Sequence, residues 1–298
     1  MFSLIKEIEK AQKNKTAIGH FNISNLEMLK GILAAAQELS TENEKVPVII
    51  GLSENERKYL GDNQIVAFIK SLQKENDYPI FVNADHCKTY ESAERAMHAG
   101  FDSIVVDNSK LSFLENIKTT KKTTSILKSI NPDILIEGEI GFIGESSALL
   151  DKIPSEIEIS EENITKIADA KKYVEETGVD MLSPAIGNMH GILKNFLNPN
   201  LYTKRIKEIS EEVKIPLVLH GGSGTATEDV SEAIKSGMVI VHFSTDLRIA
   251  FKESLIDLTE NYFPNNPNEI TPYRYMTVPI KAVKDTVLQR LKLLQNID

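Results

Sequence analysis

The chain has 298 residues, with 34 Lys and Arg against 43 Asp and Glu, a formal charge of −9. That balance argues against nucleic acid as a partner, because neutralising a phosphate backbone takes dense positive charge. The single cysteine, Cys87, cannot form an internal disulfide, which fits the cytoplasmic location expected of the protein, and no apolar run approaches the roughly 20 residues of a membrane span.

The first segment, MFSLIKEIEKAQKNK, is expected to form a short amphipathic helix with Leu4, Ile5, Ile8 and Ala11 on one face. Eight short apolar runs rich in Val and Ile follow. They are AIGHFN (17–22), VPVIIGL (46–52), PIFVNA (79–84), FDSIVV (101–106), DILIEGEI (133–140), GVDMLSPA (178–185), IPLVLH (215–220) and MVIVHF (238–243). Stretches with helical spacing, such as NLEMLKGILAAAQELS and EDVSEAIKSG, separate most of them. Apolar strands alternating with helices predict a parallel sheet covered by helices, and eight such units predict an α/β fold of the (β/α)8, or TIM, barrel type. A doubly wound open sheet is the competing topology. No linker interrupts the pattern, so residues 1–298 are expected to form a single domain.

Two segments fall outside the repeat. Residues 141–163, GFIGESSALLDKIPSEIEISEEN, are long for a connection after the fifth strand and are expected to form a mobile flap. Residues 261–276, NYFPNNPNEITPYRYM, read as a loop leading to a last helix near Ile280–Leu294.

In such a barrel, chemistry sits where strands end. The polar residues obey that rule: Asn22, Ser53, Asp85 with His86, Asp107 with Ser109, Glu137 with Glu139, His190, His220, and His242 leading to Ser244–Asp246. Three imidazoles at three strand ends, His86, His190 and His220, can form an open metal site, with Asp107 or Glu139 as a further carboxylate ligand. Each histidine alone reads as a hydrogen-bonded structural residue; their joint placement favours the metal. His20, inside the first strand, and His98, in a helix, are read as structural. After His220 the chain runs Gly221, Gly222, Ser223, Gly224, where exposed N–H groups and the Ser223 hydroxyl can hold an anion, and TATEDV just beyond reads as a capped helix start that would favour one. No lysine stands at a strand end as a Schiff-base nucleophile.

These residues, in this order, resemble the class II fructose-bisphosphate and tagatose-bisphosphate aldolases over nearly the whole chain. The resemblance rests on GHFNISNLEMLKGI, ADHC (84–87), GFDSIVVDNS (100–109), EGEIG (137–141), TGVDMLSPAIGNMHG (177–191), PLVLHGGSG and STDLRIAF (244–251). It implies a zinc-dependent (β/α)8 lyase that cleaves a phosphorylated ketose to dihydroxyacetone phosphate and an aldehyde. It implies catalytic Zn2+ on His86, His190 and His220, and a second divalent position at Asp107 and Glu139. Asp85 matches the proton donor. Gly191, Gly221 and Ser223 match groups around phosphate and a monovalent cation, with Ser53 and Thr245 as further substrate contacts. Gly222 and Ser244 are expected beside them. The family also suggests a homodimer or homotetramer.

The departures are specific. The family's flap glutamate falls on Ser147, with Glu145 two residues early. Ile240 and His242 stand at a family Lys and Asn, and a family Asp-Pro-Arg reads TPY (271–273), with Arg274 one place later. His242 is expected to face the substrate and, as an imidazole titrating near pH 6.5, to strengthen phosphate binding as the pH falls toward 6. The alternatives are a relative that binds a sugar phosphate without turnover and a metal-dependent hydrolase on the same scaffold.

Overall fold

The computed structural model describes residues 2–145, 147–157 and 159–297. Its strands are β1 (Ile18–Asn22), β2 (Val48–Ser53), β3 (Ile80–Cys87), β4 (Ser103–Val106), β5 (Leu135–Ile140), β6 (Leu149–Leu150), β7 (Met181–Pro184), β8 (Ile192–Leu193), β9 (Leu217–Leu219) and β10 (Met238–Phe243). Eight of them close a parallel barrel in the order β1-β10-β9-β7-β5-β4-β3-β2, and β6 and β8 pair separately above it. All eight predicted runs became barrel strands. The two-residue pair β6–β8 was too short to leave a pattern.

Alternation along each strand sorts the barrel interior into layers. The bottom layer is apolar: Ile18, Ile49, Phe81, Leu135, Met181, Val218 and Ile240 cluster there with Leu4, Ile8 and Ala11 of the helix Leu4–Asn14. That helix therefore plugs the N-terminal end of the barrel. Ile5 does not join its buried face; it is 37 % exposed, because a residue next to the Leu4–Ile8–Ala11 stripe points about 100° away from it.

Two residues further along the same strands the interior turns polar, with His20, Asn83, Glu137 and His242 all buried. His20 needs room on its neighbour: a Cβ at Gly51 would lie 2.0 Å from His20 Cε1. The top layer carries Asn22, Ser53, Asp85 and Glu139. Phe21, Ile50, Val82, Ile104 and Ile136, on alternate positions, pack outward in the larger core beneath the helices. The last helix spans Thr277–Leu294, slightly longer than the sequence pattern suggests.

Candidate active site

A cavity of about 530 Å³ opens at the C-terminal end of the barrel. Asp85, His86, Asp107, His190, Gly191, Gly221, Ser223, His242, Ser244, Thr245 and Ser53 all contribute to its lining. His220 and Glu139 lie just beneath it, 0 % and 2 % exposed. Gly222 stands apart from the other expected contacts. A Cβ there would meet Val241 Cγ1 at 2.7 Å and His242 O at 2.9 Å, so its backbone packs against β10 instead of facing the cavity.

Asp85 and His86 are sequence neighbours and both face inward, which a regular strand forbids. The β3–β4 register shifts between Ala84 and Cys87, and His86 adopts φ 50° in the left-handed region. That irregularity turns His86 onto the same face as Asp85, a strained device of the kind found at functional sites.

The three histidines meet as their positions suggested. Ring centroids of His86 lie 5.0 Å from both His190 and His220, and each offers a ligand nitrogen within 4.8 Å of the others. Carboxylates hold the rings from behind. His86 Nδ1 is 2.9 Å from Asp107 Oδ2 and 3.4 Å from Glu139 Oε2, which leaves Nε2 on the side of Asp85 Oδ1, 3.7 Å away. His220 Nε2 is 2.7 Å from Glu137 Oε1. Among the described residues, His220 Nδ1 and Glu139 Oε2 are buried without a hydrogen-bond partner. Two buried polar atoms beside one another, with Glu137, Asp107 and Glu139 around the rings, fit a cation once the imidazoles give up their protons. His86, Asp107 and Glu139 form a second, overlapping group that could take one. Glu137 was visible in the sequence but its service to His220 was not; the signal was its spacing of two from Glu139, which puts both inside the barrel.

Electrostatics follow from this crowding. Burial alone would lower His86, but Asp85, Asp107 and Glu139 outweigh it and raise it to about 9. His220 is likewise raised well above its ordinary value by Glu137 and Glu139 against its burial. His190, beside those two imidazoles, is lowered to about 3 by burial and by them. Burial, then Asp107, raises Glu139. A metal taken by the triad must therefore displace the protons of His86 and His220, and about two should be released per ion at pH 7. Both groups lose their protons as pH rises, so affinity should strengthen from pH 6 toward pH 9. Titration calorimetry in buffers of different ionisation enthalpy measures this directly; an apparent enthalpy independent of buffer would contradict it.

Asp85 is held from two sides. Its Oδ2 accepts from Asn22 Nδ2 at 2.9 Å. Burial would raise its pKa, yet His86 and His242 keep the carboxyl well below the usual range. Asn22 also donates to Glu56 Oε2 at 3.2 Å, and Arg248 Nη2 donates to Glu56 Oε1 at 2.7 Å. Glu56 and Arg248 were missed from sequence. A readable sign of Glu56 was Ser53-x-x-Glu56, which forms a capping box on the helix Glu54–Leu60.

The glycine turn departs from expectation in two ways. Ser223 Oγ donates to Asp246 Oδ1 at 2.7 Å and accepts from Ser244 N at 3.0 Å, so its hydroxyl is already engaged. The TATEDV helix, Thr227–Lys235, has no side-chain cap and contributes nothing to the cavity; Asp229 accepts instead from Leu201 N. The helix end facing the cavity is that of Thr245–Asp257, led by Ser244 and Thr245. Gly221 has φ 75°, and a Cβ there would strike Met189 O at 2.3 Å, so glycine is required where these two loops meet.

His242 faces the cavity as expected, but its ring stacks on His20 at 3.5 Å and on His220 at 4.1 Å. Burial and those two imidazoles hold its pKa well below the ordinary value. It stays neutral at pH 6, and the expected acid-strengthened phosphate binding does not follow. On the flap, Glu145 lines the cavity and is paired with Lys88 and Lys110, which lower its pKa. The backbone carbonyl of Ser147 accepts from Arg248 Nη1 at 3.3 Å.

Comparison with known proteins agrees with this architecture. The chain is 33% identical over 298 residues to a probable fructose-bisphosphate aldolase of Bacillus subtilis, covering 98% of this chain and 96% of the relative. It is 34% identical over 295 residues to a 6-phospho-5-dehydro-2-deoxy-D-gluconate aldolase of Bacillus licheniformis, covering 98% and 94%. The crystal structure of the YdjI aldolase from Escherichia coli K12 superposes with a TM-score of 0.80 at 27% identity, covering 99% and 97% of the two chains. The family model described as fructose-bisphosphate aldolase class-II matches residues 3–298. With a closed eight-stranded barrel and a histidine triad at its C-terminal mouth, the chain belongs to the class-II fructose-bisphosphate aldolase family, and is an aldolase lyase.

Proposed function

We propose that the protein is a zinc-dependent aldolase that breaks or forms one carbon–carbon bond of a phosphorylated ketose, with dihydroxyacetone phosphate and an aldehyde as the other partners. Fructose 1,6-bisphosphate and related ketose phosphates are its candidate substrates. The observation that carries this reading is the open triad of His86, His190 and His220 directly beside an ionised Asp85 in one cavity. The triad would hold the zinc, with Asp107 and Glu139 beside His86 as a second divalent position. When bound, zinc supplies Lewis-acid stabilisation of the charge left on the donor half. Asp85 accepts the hydroxyl proton in cleavage and returns it in condensation. Backbone at Gly191, Gly221 and Ser223, with the helix start at Ser244 and Thr245, receives the phosphate and a monovalent cation; Ser53 closes the opposite wall. We expect a cytoplasmic homodimer or homotetramer. The test is a metal-replete preparation offered a panel of phosphosugars and assayed for released triose phosphate.

A binding protein without turnover is the second reading, and Ser147 at the family glutamate position is what favours it. Against it, Glu145 supplies a carboxylate on the same flap, lining the cavity and kept ionised by Lys110 and Lys88. We assign to Glu145 the proton on the donor carbon. Glu145→Gln should slow exchange of solvent deuterium into dihydroxyacetone phosphate by about 100-fold, within the range for a positioned base, with metal content unchanged. Exchange at the parental rate would remove Glu145 from the chemistry.

A further inference from the structure

His242 stands in the cavity wall where nothing in the proposed reaction has yet used it. Its imidazole is clamped. His20 from β1 lies on one face at 3.5 Å with the rings 6° from parallel, and His220, the residue directly after β9, lies on the other at 4.1 Å and 23°. The three side chains stand on or at the end of three adjacent strands, β1-β10-β9, with His20 and His242 in direct register. A ring gripped on both faces cannot tilt, so the direction of its edge is fixed.

That edge points at the acid. His242 Nδ1 is 3.6 Å from Asp85 Oδ1. Asp85 is 4 % exposed, its Oδ2 is tied to Asn22, and its Oδ1 has no hydrogen-bond partner among the described residues. A carboxylate opposite Nδ1 places the ring's proton on that nitrogen. The gap is too long for a good hydrogen bond, but one oxygen atom placed against it can lie about 2.8 Å from each group. The arrangement is therefore a two-point holder for a hydroxyl: one side accepts a proton, the other donates a hydrogen bond.

The clamp has its own support. Asn83 Nδ2 donates to Ser103 Oγ at 2.7 Å, so Asn83 Oδ1 faces His20 Nε2 at 3.1 Å and must accept from it. His20 is thus the Nε2–H tautomer, with Nδ1 a bare buried lone pair. Gly51 provides the space its ring fills.

We propose that His242 is a further catalytic residue, whose Nδ1–H and the Asp85 carboxylate together hold the substrate hydroxyl that becomes the aldehyde oxygen, and that His20 is the positioning residue that fixes its ring. This rests on the aldolase reading. In cleavage the hydroxyl proton passes to Asp85 Oδ1 and its carbon–oxygen bond becomes a carbonyl. The adjacent carbon–carbon bond breaks, and its electron pair stays with the dihydroxyacetone phosphate half. His242 donates its hydrogen bond to the oxygen throughout and keeps its own proton.

The experiment uses the zinc-loaded enzyme and two readouts. Ketose phosphate cleavage requires the aldehyde oxygen; exchange of solvent deuterium into dihydroxyacetone phosphate, followed by NMR, does not. His242→Phe keeps a stacking ring and removes the donor. It should lower kcat for cleavage about 100-fold, the scale of losing one preorganised donor, while exchange stays within about threefold and zinc is retained. His242→Asn restores a smaller N–H donor and should recover part of the loss. His20→Phe should cleave nearly as the parent does, and His20→Ala should lose about tenfold in kcat with KM unchanged, because only the ring's support has gone. Thermal melting and zinc content confirm folding of each variant, and the Asn and Phe replacements differ enough in shape that one foldable variant suffices. Parental cleavage by His242→Phe overturns the proposal. So does a parallel fall of cleavage and exchange, which would place His242 on the donor half. A zinc-loaded parent that neither cleaves nor exchanges overturns the aldolase reading itself, and the proposal with it.

Discussion

His220→Ala is expected to leave the protein without bound zinc and without measurable cleavage. The parent should hold about one tightly bound zinc per chain, as an open three-histidine site does. His220 is the most deeply buried member of the triad, with no exposed surface, and one nitrogen already engaged by Glu137. Its removal deletes a ligand and also strands the Glu137 carboxylate, itself 1 % exposed, in the barrel interior. Breaking a buried pair in this way costs on the order of 3–5 kcal/mol, so loss of metal and loss of fold have to be separated. Glu137→Gln separates them. It keeps the volume and a hydrogen-bonding group, and should weaken zinc by about 10- to 100-fold, the usual effect of removing the group behind a ligand. His86→Ala and His190→Ala, nearer the cavity mouth, should lose zinc with smaller effects on thermal stability. Metal content by mass spectrometry and triose phosphate release check all four. Full activity in a rigorously metal-stripped parent would end the zinc-dependent reading.

The barrel was legible because its strands fall in short, mostly apolar runs separated by stretches of helical spacing, and because the histidines and carboxylates gather toward the C-terminal ends of those runs. The triad was legible for the same reason. Geometry that depends on departures from regularity was not. Asp85 and His86 could be placed at one strand end, but only the bulge and positive φ of β3 explain how neighbours share a face. His20 reads as a core residue because nothing local distinguishes it; its meaning comes from His242, more than two hundred positions away, through the register of β1 with β10. Ser223 shows the opposite error. Its residue type and place suggested an anion donor, while its proton goes to Asp246, which Arg290 holds from the far helix at 2.8 Å. Long-range pairings of this kind decide which of several plausible polar groups remains free for a ligand, and a linear pattern does not carry them.

Asp85→Asn should separate chemistry from metal binding more cleanly than any ligand change. Asn is nearly isosteric and keeps an oxygen that can accept from Asn22 Nδ2, now at 2.9 Å. It cannot take a proton at the position facing His242 and His86. Turnover should therefore fall by roughly 100- to 10,000-fold, the range for a positioned acid or base, with zinc content and thermal stability close to the parent. The competing role for Asp85 is to orient His86, whose Nε2 lies 3.7 Å from Asp85 Oδ1. In that case zinc affinity, more than kcat, should fall, by the 10- to 100-fold typical of a supporting carboxylate. His86 already has Asp107 at 2.9 Å and Glu139 at 3.4 Å on its other nitrogen, so its orientation does not depend on Asp85, and the catalytic outcome is the one expected. The pH dependence adds an independent check with a definite sign. Without metal, Asp85 is held well below the usual carboxylate range by His86 and His242 against its burial; in the loaded enzyme a cation on the triad replaces the His86 proton and favours the ionised carboxyl in the same direction, so its proton-accepting form persists at low pH. Cleavage by the zinc-loaded parent should not lose activity through Asp85 as the pH falls from 7 to 5. An acid limb in that interval that disappears in Asp85→Asn would show that its carboxyl titrates near its ordinary value, and that the polar clamp around it does not act on it as the structure implies.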